Sequence, residues 1–213
     1  MEKIRKMKDK IKKEKKLNEE LAMYYEIILE ALENVDQSYY TISVTYRSEE
    51  IVRERVFCYE FYHQLRCLAE KNKKIDIKIN GEIDKRGNRD FNGENPDFVF
   101  HLPGTMERNS IVIEVKGNAQ NDYINKCIKD FTTLKNFLKS HQYKIGIFIL
   151  YNYNLIEFTE TFKEKLKEIF LENEELKEIS KRIFVICKKS QKDSTKEKIL
   201  YDIICEEESI RVV

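Results

Sequence analysis

The sequence lacks the features that identify several classes of protein. Its net charge is only +1, so attraction to nucleic acid would have to come from local patches. No apolar stretch approaches the roughly 20 residues of a membrane-spanning helix, and the start is too polar for a signal peptide. The five cysteines show no paired spacing and no Cys-x-x-Cys, which indicates reduced thiols in the cytoplasm. We therefore expect a cytoplasmic protein with no membrane partner.

Several catalytic signatures are also missing. We find no P-loop, no zinc-ligand cluster and no nucleophilic Ser/His/Asp arrangement. Charged residues make up 36% and hydrophobic residues 41% of the 213 residues. This balance is typical of a globular chain with a highly charged surface and enough length to bury a sizeable core.

Proline and glycine are absent before Gly81, and a heptad pattern runs through the start of the chain. These features predict one long helix over residues 3–34, and we assign residues 1–36 to this helix and 37–213 to the main domain. One heptad position holds Ile4, Ile11, Asn18, Tyr25 and Leu32, and the other holds Met7, Glu14, Leu21, Ile28 and Val35.

Two interpretations of this helix remain open. It could be a coiled-coil arm that forms a homodimer, with Asn18 fixing the register and a basic tip touching phosphates. It could instead be an amphipathic helix packed on its own domain, with a solvated basic end. We favour the packed helix, because Glu14 and Asn18 make the middle of the seam polar.

The remaining pattern predicts an α/β protein with a mixed central β-sheet flanked by helices. The strand over residues 144–151 is almost continuously apolar, which is typical of a strand buried on both faces. Strands are predicted at 38–46, 75–80, 97–102, 111–117, 144–151, 182–188, 198–205 and 210–213, and helices at 49–71, with Ser48 as N-cap, at 122–139 and at 157–178.

Asp97, Glu114 and Lys116 are predicted to converge at one end of a hairpin. Residues 97–102 and 111–117 are separated by the turn residues Pro103 and Gly104. Glu114 and Lys116 project from one face of their strand, about 7 Å apart at the Cα atoms. Asp97 joins them if it sits opposite Glu114 or Lys116 rather than opposite Val115.

Two carboxylates at a strand end suit a hard cation such as Mg²⁺ or Mn²⁺, completed by water and substrate phosphate. Such an ion can polarise a phosphoryl oxygen and activate a bound water, and Lys116 could stabilise the charge that develops on the phosphate. The simpler alternative is an ordinary hairpin that ends in a solvated Glu/Lys pair. We favour a site, because Glu114 and Lys116 lie inside an apolar run.

Pro96, Asp97, Glu114 and Lys116 together resemble the motif of the PD-(D/E)xK nuclease superfamily, which has a restriction-endonuclease-like core. The order of turns, strands and helix around them also matches that family. The resemblance implies that Asp97 and Glu114 bind metal, that the Val115 carbonyl can ligate it, and that Lys116 is the catalytic lysine. It also implies a glutamate on the preceding helix, for which Glu60 is the candidate.

Further residues are weaker candidates for the same site. Gln64 lies one helical turn after Glu60 and could hold a water or a phosphate. Glu82 could approach the site, and the loop that carries Lys85, Arg86 and Arg89 could follow a phosphate backbone. Each of these residues also fits a charged protein surface.

The expected function is metal-dependent hydrolysis of phosphodiester bonds in DNA, of restriction, defence or repair type. RNA as the substrate is left open. One alternative is a non-catalytic nucleic-acid-binding or assembly subunit that keeps the nuclease fold. Another is a structural protein whose N-terminal heptads are the functional part.

Overall fold

The fold is a six-stranded mixed sheet between two layers of helices. The structure, a computed structural model, describes residues 2–45, 50–72, 76–81, 94–117 and 123–206, with the side chains of the first helix described from Asn18 onward. The helices are α1 (Glu2–Asn34), α2 (Glu54–Lys71), α3 (Tyr123–Ser140), α4 (Leu155–Phe170), α5 (Glu174–Ser180) and α6 (Leu200–Cys205). The strands are β1 (Lys78–Gly81), β2 (Phe98–His101), β3 (Ile111–Gly117), β4 (Ile145–Tyr151), β5 (Ile183–Lys188) and β6 (Lys196–Ile199).

The strands lie in the sheet in their order along the chain, from β1 to β6. β1, β2 and β3 pair antiparallel, β3, β4 and β5 pair parallel, and β6 returns antiparallel. The predicted α/β class with a mixed, helix-flanked sheet is therefore confirmed. Since β3 and β4 are parallel neighbours, α3 must carry the chain back across one face of the sheet.

Alternate residues of β3 face opposite helical layers. Ile111, Ile113 and Val115 pack in one core with α1 and α2, whereas Val112 packs in the other core with α3, α4, α5 and α6. By the same alternation, Glu114 and Lys116 face the layer that contains α3.

The second half of α1 is part of the first core. Its buried side chains recur at helical spacing, as an amphipathic helix requires. They are Leu21, Tyr24, Ile27, Ile28, Ala31 and Leu32, followed by Val35 just after the helix. The side chain of Asn18, further towards the N-terminus of α1, is exposed to solvent.

The predicted strand over residues 38–46 is wrong. Residues Gln37–Tyr39 form a 3₁₀ turn, capped by Asp36, whose side chain accepts the Ser38 N–H. Tyr40 is fully buried, with its ring edge-on to Phe57. Tyr39 and Tyr40, two of the aromatic residues that suggest a strand, therefore pack in the core. In the described part of this stretch, a single bridge between Ile42 and Ile51 replaces the strand.

Two of the predicted helices also differ from the structure. Helix α2 begins at Glu54 rather than 49, because Ile51 is held in the bridge and Arg53 is still extended. The helix predicted over 157–178 is two helices, because the Asn173 side chain caps a new one at the Leu176 N–H. Ser48 and residues 210–213 lie outside the described residues.

The strand predicted over 198–205 is also wrong after Ile199. Leu200, Ile203 and Ile204 are buried at helical spacing in the second core, and they form one face of α6. A short apolar run of this kind fits either element by its hydrophobicity, and here tertiary packing selects the helix.

None of the helices in the described part of the chain combines the length and the apolar character needed to cross a bilayer. All five cysteines are free thiols.

Leu32→Ala tests whether α1 belongs to the core. Leu32 is completely buried, so its truncation should lower the free energy of unfolding by about 2–5 kcal/mol through the cavity it leaves. Urea unfolding followed by circular dichroism measures this change. Glu30→Ala, on the exposed face of the same helix, is the control and should change it by about 0.5 kcal/mol or less. Equal unfolding midpoints for the two variants would show that α1 is dispensable to the core.

Candidate functional site

The register of the β2–β3 hairpin brings Asp97 beside Glu114. Phe98 pairs with Ile113 and Val99 with Val112, so the next step along the antiparallel ladder sets Asp97 opposite Glu114. The Val115 N–H donates a hydrogen bond of 2.7 Å to Asp97 Oδ2. This bond fixes the Asp97 carboxyl at the point where β2 begins, next to the carboxyl of Glu114.

Glu114 is buried, with only 5% of its surface exposed, and its carboxyl lies beside that of Asp97 across the hairpin. Burial raises its pKa well above the usual range, and the charges of Asp97 and Asp130 add to that shift. Burial also raises the pKa of Asp97 to about 7, against the opposing effect of the Val115 amide. Two carboxyls in contact out of water need a proton or a cation between them, because two like charges there repel each other.

Lys116 lies between two further carboxylates. Its Nζ is 3.1 Å from Glu54 Oε2, at the start of α2, and 3.0 Å from Asp130 Oδ2, on α3. Burial alone would lower the pKa of Lys116, but attraction to Asp130 and Glu54 outweighs it and raises the pKa. Lys116 is therefore a positioned cation at the end of β3.

Glu54, rather than Glu60, is the α2 carboxylate next to Lys116. Glu60 lies six residues later, about 9 Å further along the axis and about 120° around the helix from Glu54. Its Oε1 accepts a hydrogen bond of 2.6 Å from the Gln64 side chain. The structure therefore brings Asp97, Glu114 and Lys116 together and places Glu60 and Gln64 as a pair elsewhere on α2.

Of the remaining residues predicted from the sequence, the structure describes Val115 alone. Val115 contributes its N–H to the site by fixing Asp97. Glu82, Lys85, Arg86 and Arg89 lie outside the described residues.

Sequence reasoning missed Glu54 and Asp130. Glu54 was overlooked because α2 was expected to begin five residues earlier, which moved the first turn of the helix away from this residue. Asp130 did carry a signal, since it is the sole acidic residue within Tyr123–Ser140, where the other charged residues are lysines. It also adjoins the buried Phe131 and is itself largely buried. An acid beside a buried stripe usually has a charged partner.

Gly117, the residue after Lys116, allows the backbone to pass close to Tyr151 and Val52. A Cβ at this position would lie 2.4 Å from the hydroxyl oxygen of Tyr151 and 2.5 Å from a methyl group of Val52. Because Tyr151 is also stacked on Phe57 at a ring distance of 3.9 Å, it has little room to move. Glycine therefore lets the backbone after Lys116 approach the aromatic core closely.

The chemistry of the donor atoms fits a divalent cation. Asp97 and Glu114 both offer carboxylate oxygens, the ligands that Mg²⁺ and Mn²⁺ prefer. Within the described ranges, no group of three or more His, Cys, Asp and Glu side chains is arranged to hold a metal ion. With Asp97 and Glu114 as its protein ligands, a cation would take its other ligands from water and substrate, as Mg²⁺ commonly does.

Comparisons of the chain with protein-family models, with curated proteins and with solved structures found no match.

The raised pKa of Asp97 predicts a specific dependence of stability on pH in metal-free buffer. In the unfolded chain the pKa of this carboxyl is its ordinary 3.8, whereas in the folded chain its pKa is about 7, so the folded chain holds the proton to a higher pH. The protonated carboxyl therefore stabilises the fold fully below pH 3.8, and this contribution is lost as the pH rises to 7. Asp97→Asn should accordingly gain stability relative to the parent between pH 4 and pH 8, by about 4 kcal/mol at most.

Urea unfolding at several pH values measures this difference. Asp202→Asn, which alters an exposed carboxyl on α6, is the control for the rest of the molecule. Parallel pH profiles for Asp97→Asn and the parent would contradict the burial of an ionisable carboxyl at this position.

Proposed function

We propose that this protein is a metal-dependent nuclease that hydrolyses phosphodiester bonds in DNA. The proposal is carried by one observation: the half-buried carboxyl of Asp97 lies beside the buried carboxyl of Glu114, and Lys116 follows two residues later on the same strand. Two carboxylates and a positioned cation form a set of groups suited to phosphoryl transfer.

The proposal includes a restriction-endonuclease-like core, and the topology of the sheet supports it. β2, a turn, β3, α3 and β4 follow one another in the order that the resembled family shows. The Pro96-Asp97 and Glu114-Val115-Lys116 segments occupy the adjoining ends of β2 and β3. The motif residues thus meet on neighbouring strands although they are distant in sequence.

Asp97 and Glu114 would hold Mg²⁺ or Mn²⁺, with the Val115 carbonyl as a further ligand by the resemblance. The bound cation would supply a polarised phosphoryl oxygen and a more acidic water. Asp97 is oriented for this role by the Val115 N–H, and Glu114 by its burial between β2, β4 and the α3 layer.

Lys116 would stabilise negative charge on the phosphate or hold the attacking water. Glu54 and Asp130 fix its ammonium group from two sides, so these two residues act as positioning residues. Their contacts also keep Lys116 protonated at neutral pH, because they raise its pKa. A protonated lysine acts here as an electrostatic group rather than as a base.

Cleavage of plasmid, linear and single-stranded DNA, and of RNA, in Mg²⁺ or Mn²⁺ tests the proposal. Asp97→Ala and Lys116→Ala should each lower the rate by at least about 100-fold, because each removes a group that acts on the reacting phosphate. Glu54→Gln should lower the rate more than Glu60→Gln, since Glu54 is the residue that contacts Lys116.

Lys139→Ala is the matched control for Lys116→Ala. Lys139 lies at the exposed end of α3, paired with Glu175 at 2.7 Å, and its loss should leave cleavage unchanged. Cleavage that persists in Asp97→Ala would place the active site elsewhere. Absence of cleavage on every substrate, with no stabilisation by Mn²⁺, would favour a non-catalytic nucleic-acid-binding or assembly subunit.

A further inference from the structure

A cavity of about 490 Å³ opens directly beside Asp97. It lies between α2, the end of β1 and the start of β2, and both Glu54 and Asp97 form part of its wall. The volume is within the roughly 300–1,000 Å³ range of small-molecule pockets, so it admits a group much larger than a metal ion with its waters. None of the groups assigned to the phosphate chemistry fills this space.

Three aromatic rings define the character of this cavity. Tyr62 and Phe98 stack with an interplanar angle of 10° and a centroid distance of 5.9 Å. The Tyr62 hydroxyl donates to the Ile79 carbonyl at 3.2 Å, which fixes the ring against β1. Tyr59 lies one helical turn after Arg55 and is 64% exposed, an unusual degree of exposure for a large ring.

Polar groups complete the wall. Arg55 lines the cavity from α2, and Asn80 lines it from β1. Asn80 Oδ1 lies 3.0 Å from His101 Nε2, a contact that orients its amide. Flat aromatic faces beside a guanidinium and an amide are the combination that proteins use for nucleobases, which offer a π-face and a polar edge.

We propose that this cavity is a subsite for one unpaired base of the DNA strand, with the adjoining phosphate at Asp97. This inference rests on the proposed nuclease function and adds the kind of substrate that the site takes. A base inside a duplex is stacked on both sides and cannot enter a side pocket without being extruded. The preferred substrate is therefore single-stranded, or has an unpaired segment at the cleavage position.

The neighbouring surface gives the strand a path away from the cavity. A second depression of about 370 Å³ is also lined by Tyr59 and Tyr62, and Arg66 forms part of its wall. The two depressions share both tyrosines, so successive bases could stack on one aromatic wall. Stacking of this kind tolerates any base, because each base has a π-face.

Fluorescence anisotropy with a labelled thymidine dodecamer and a matched strand of abasic residues tests the subsite. Ca²⁺ replaces Mg²⁺ in the buffer, and the full chain is used throughout. The parent should bind the thymidine strand about tenfold more tightly than the abasic strand. Tyr59→Ala should weaken binding of the thymidine strand about tenfold and leave binding of the abasic strand unchanged.

Two variants and a duplex control the interpretation. Tyr59→Phe retains the ring and should bind like the parent. Tyr201→Ala removes a half-exposed tyrosine on α6 and should also bind like the parent. The duplex of the same length should bind less tightly than the single strand. Since Tyr59 is mostly exposed, its truncation leaves the core intact.

Equal affinity of the parent for the two strands would overturn the subsite, as would an equal loss on both strands in Tyr59→Ala. Metal-dependent cleavage that does not depend on Tyr59 would overturn this inference and leave the proposed function standing. Base-dependent binding through Tyr59 without cleavage in any metal would support the subsite and overturn the proposed function.

Discussion

The site depends on one constraint, the placement of the half-buried Asp97 carboxyl beside the buried carboxyl of Glu114. Burial raises the pKa of each group; the charge of Asp97 adds to the shift of Glu114, and the charges of Glu54 and Asp130 add to the shift of Asp97. The fold maintains this costly arrangement through the hairpin register and the Val115 N–H. A group that removes the repulsion, either a shared proton or a divalent cation, is thereby favoured at this position. The charge of Lys116 lowers the pKa of both carboxyls without cancelling the effect of burial, and its ammonium group contacts Glu54 and Asp130.

The sequence allowed the central strands to be predicted well. β3 was placed with its observed ends, and β4 within one residue, because their apolar runs have β-branched residues and clear boundaries. Predictions failed where tertiary packing outweighed local preference. The aromatic and β-branched residues at 38–46 indicated a strand, but Tyr40 is used as a core side chain and Asp36 caps a turn. The apolar residues after Ile199 likewise form a helix against the second core.

The strand residues of the candidate site could be predicted from the sequence, whereas the helical residues could not. Strand alternation is a local property, so it linked Glu114 with Lys116 and, through the hairpin, with Asp97. The helical partners depend on where α2 begins and on how α3 lies across the sheet, and neither follows from local pattern. Glu54 and Asp130 are therefore absent from the predicted site, and the prediction of Glu60 rests on the family resemblance and on its position along the helix. The aromatic cavity beside Asp97 is formed by residues of α2, β1 and β2 together, so no single stretch of the sequence predicts it.

Mn²⁺ binding is the most direct test of whether Asp97 and Glu114 form the proposed site for a divalent cation. Titration of the full chain with Mn²⁺ at pH 8, with the free ion followed by its electron paramagnetic resonance signal, measures this binding. The parent should bind one ion per chain, and Asp97→Asn and Glu114→Gln should each abolish that binding, because the pair supplies the carboxylate ligands. Absence of binding by the parent, or unchanged binding in both variants, would contradict the account.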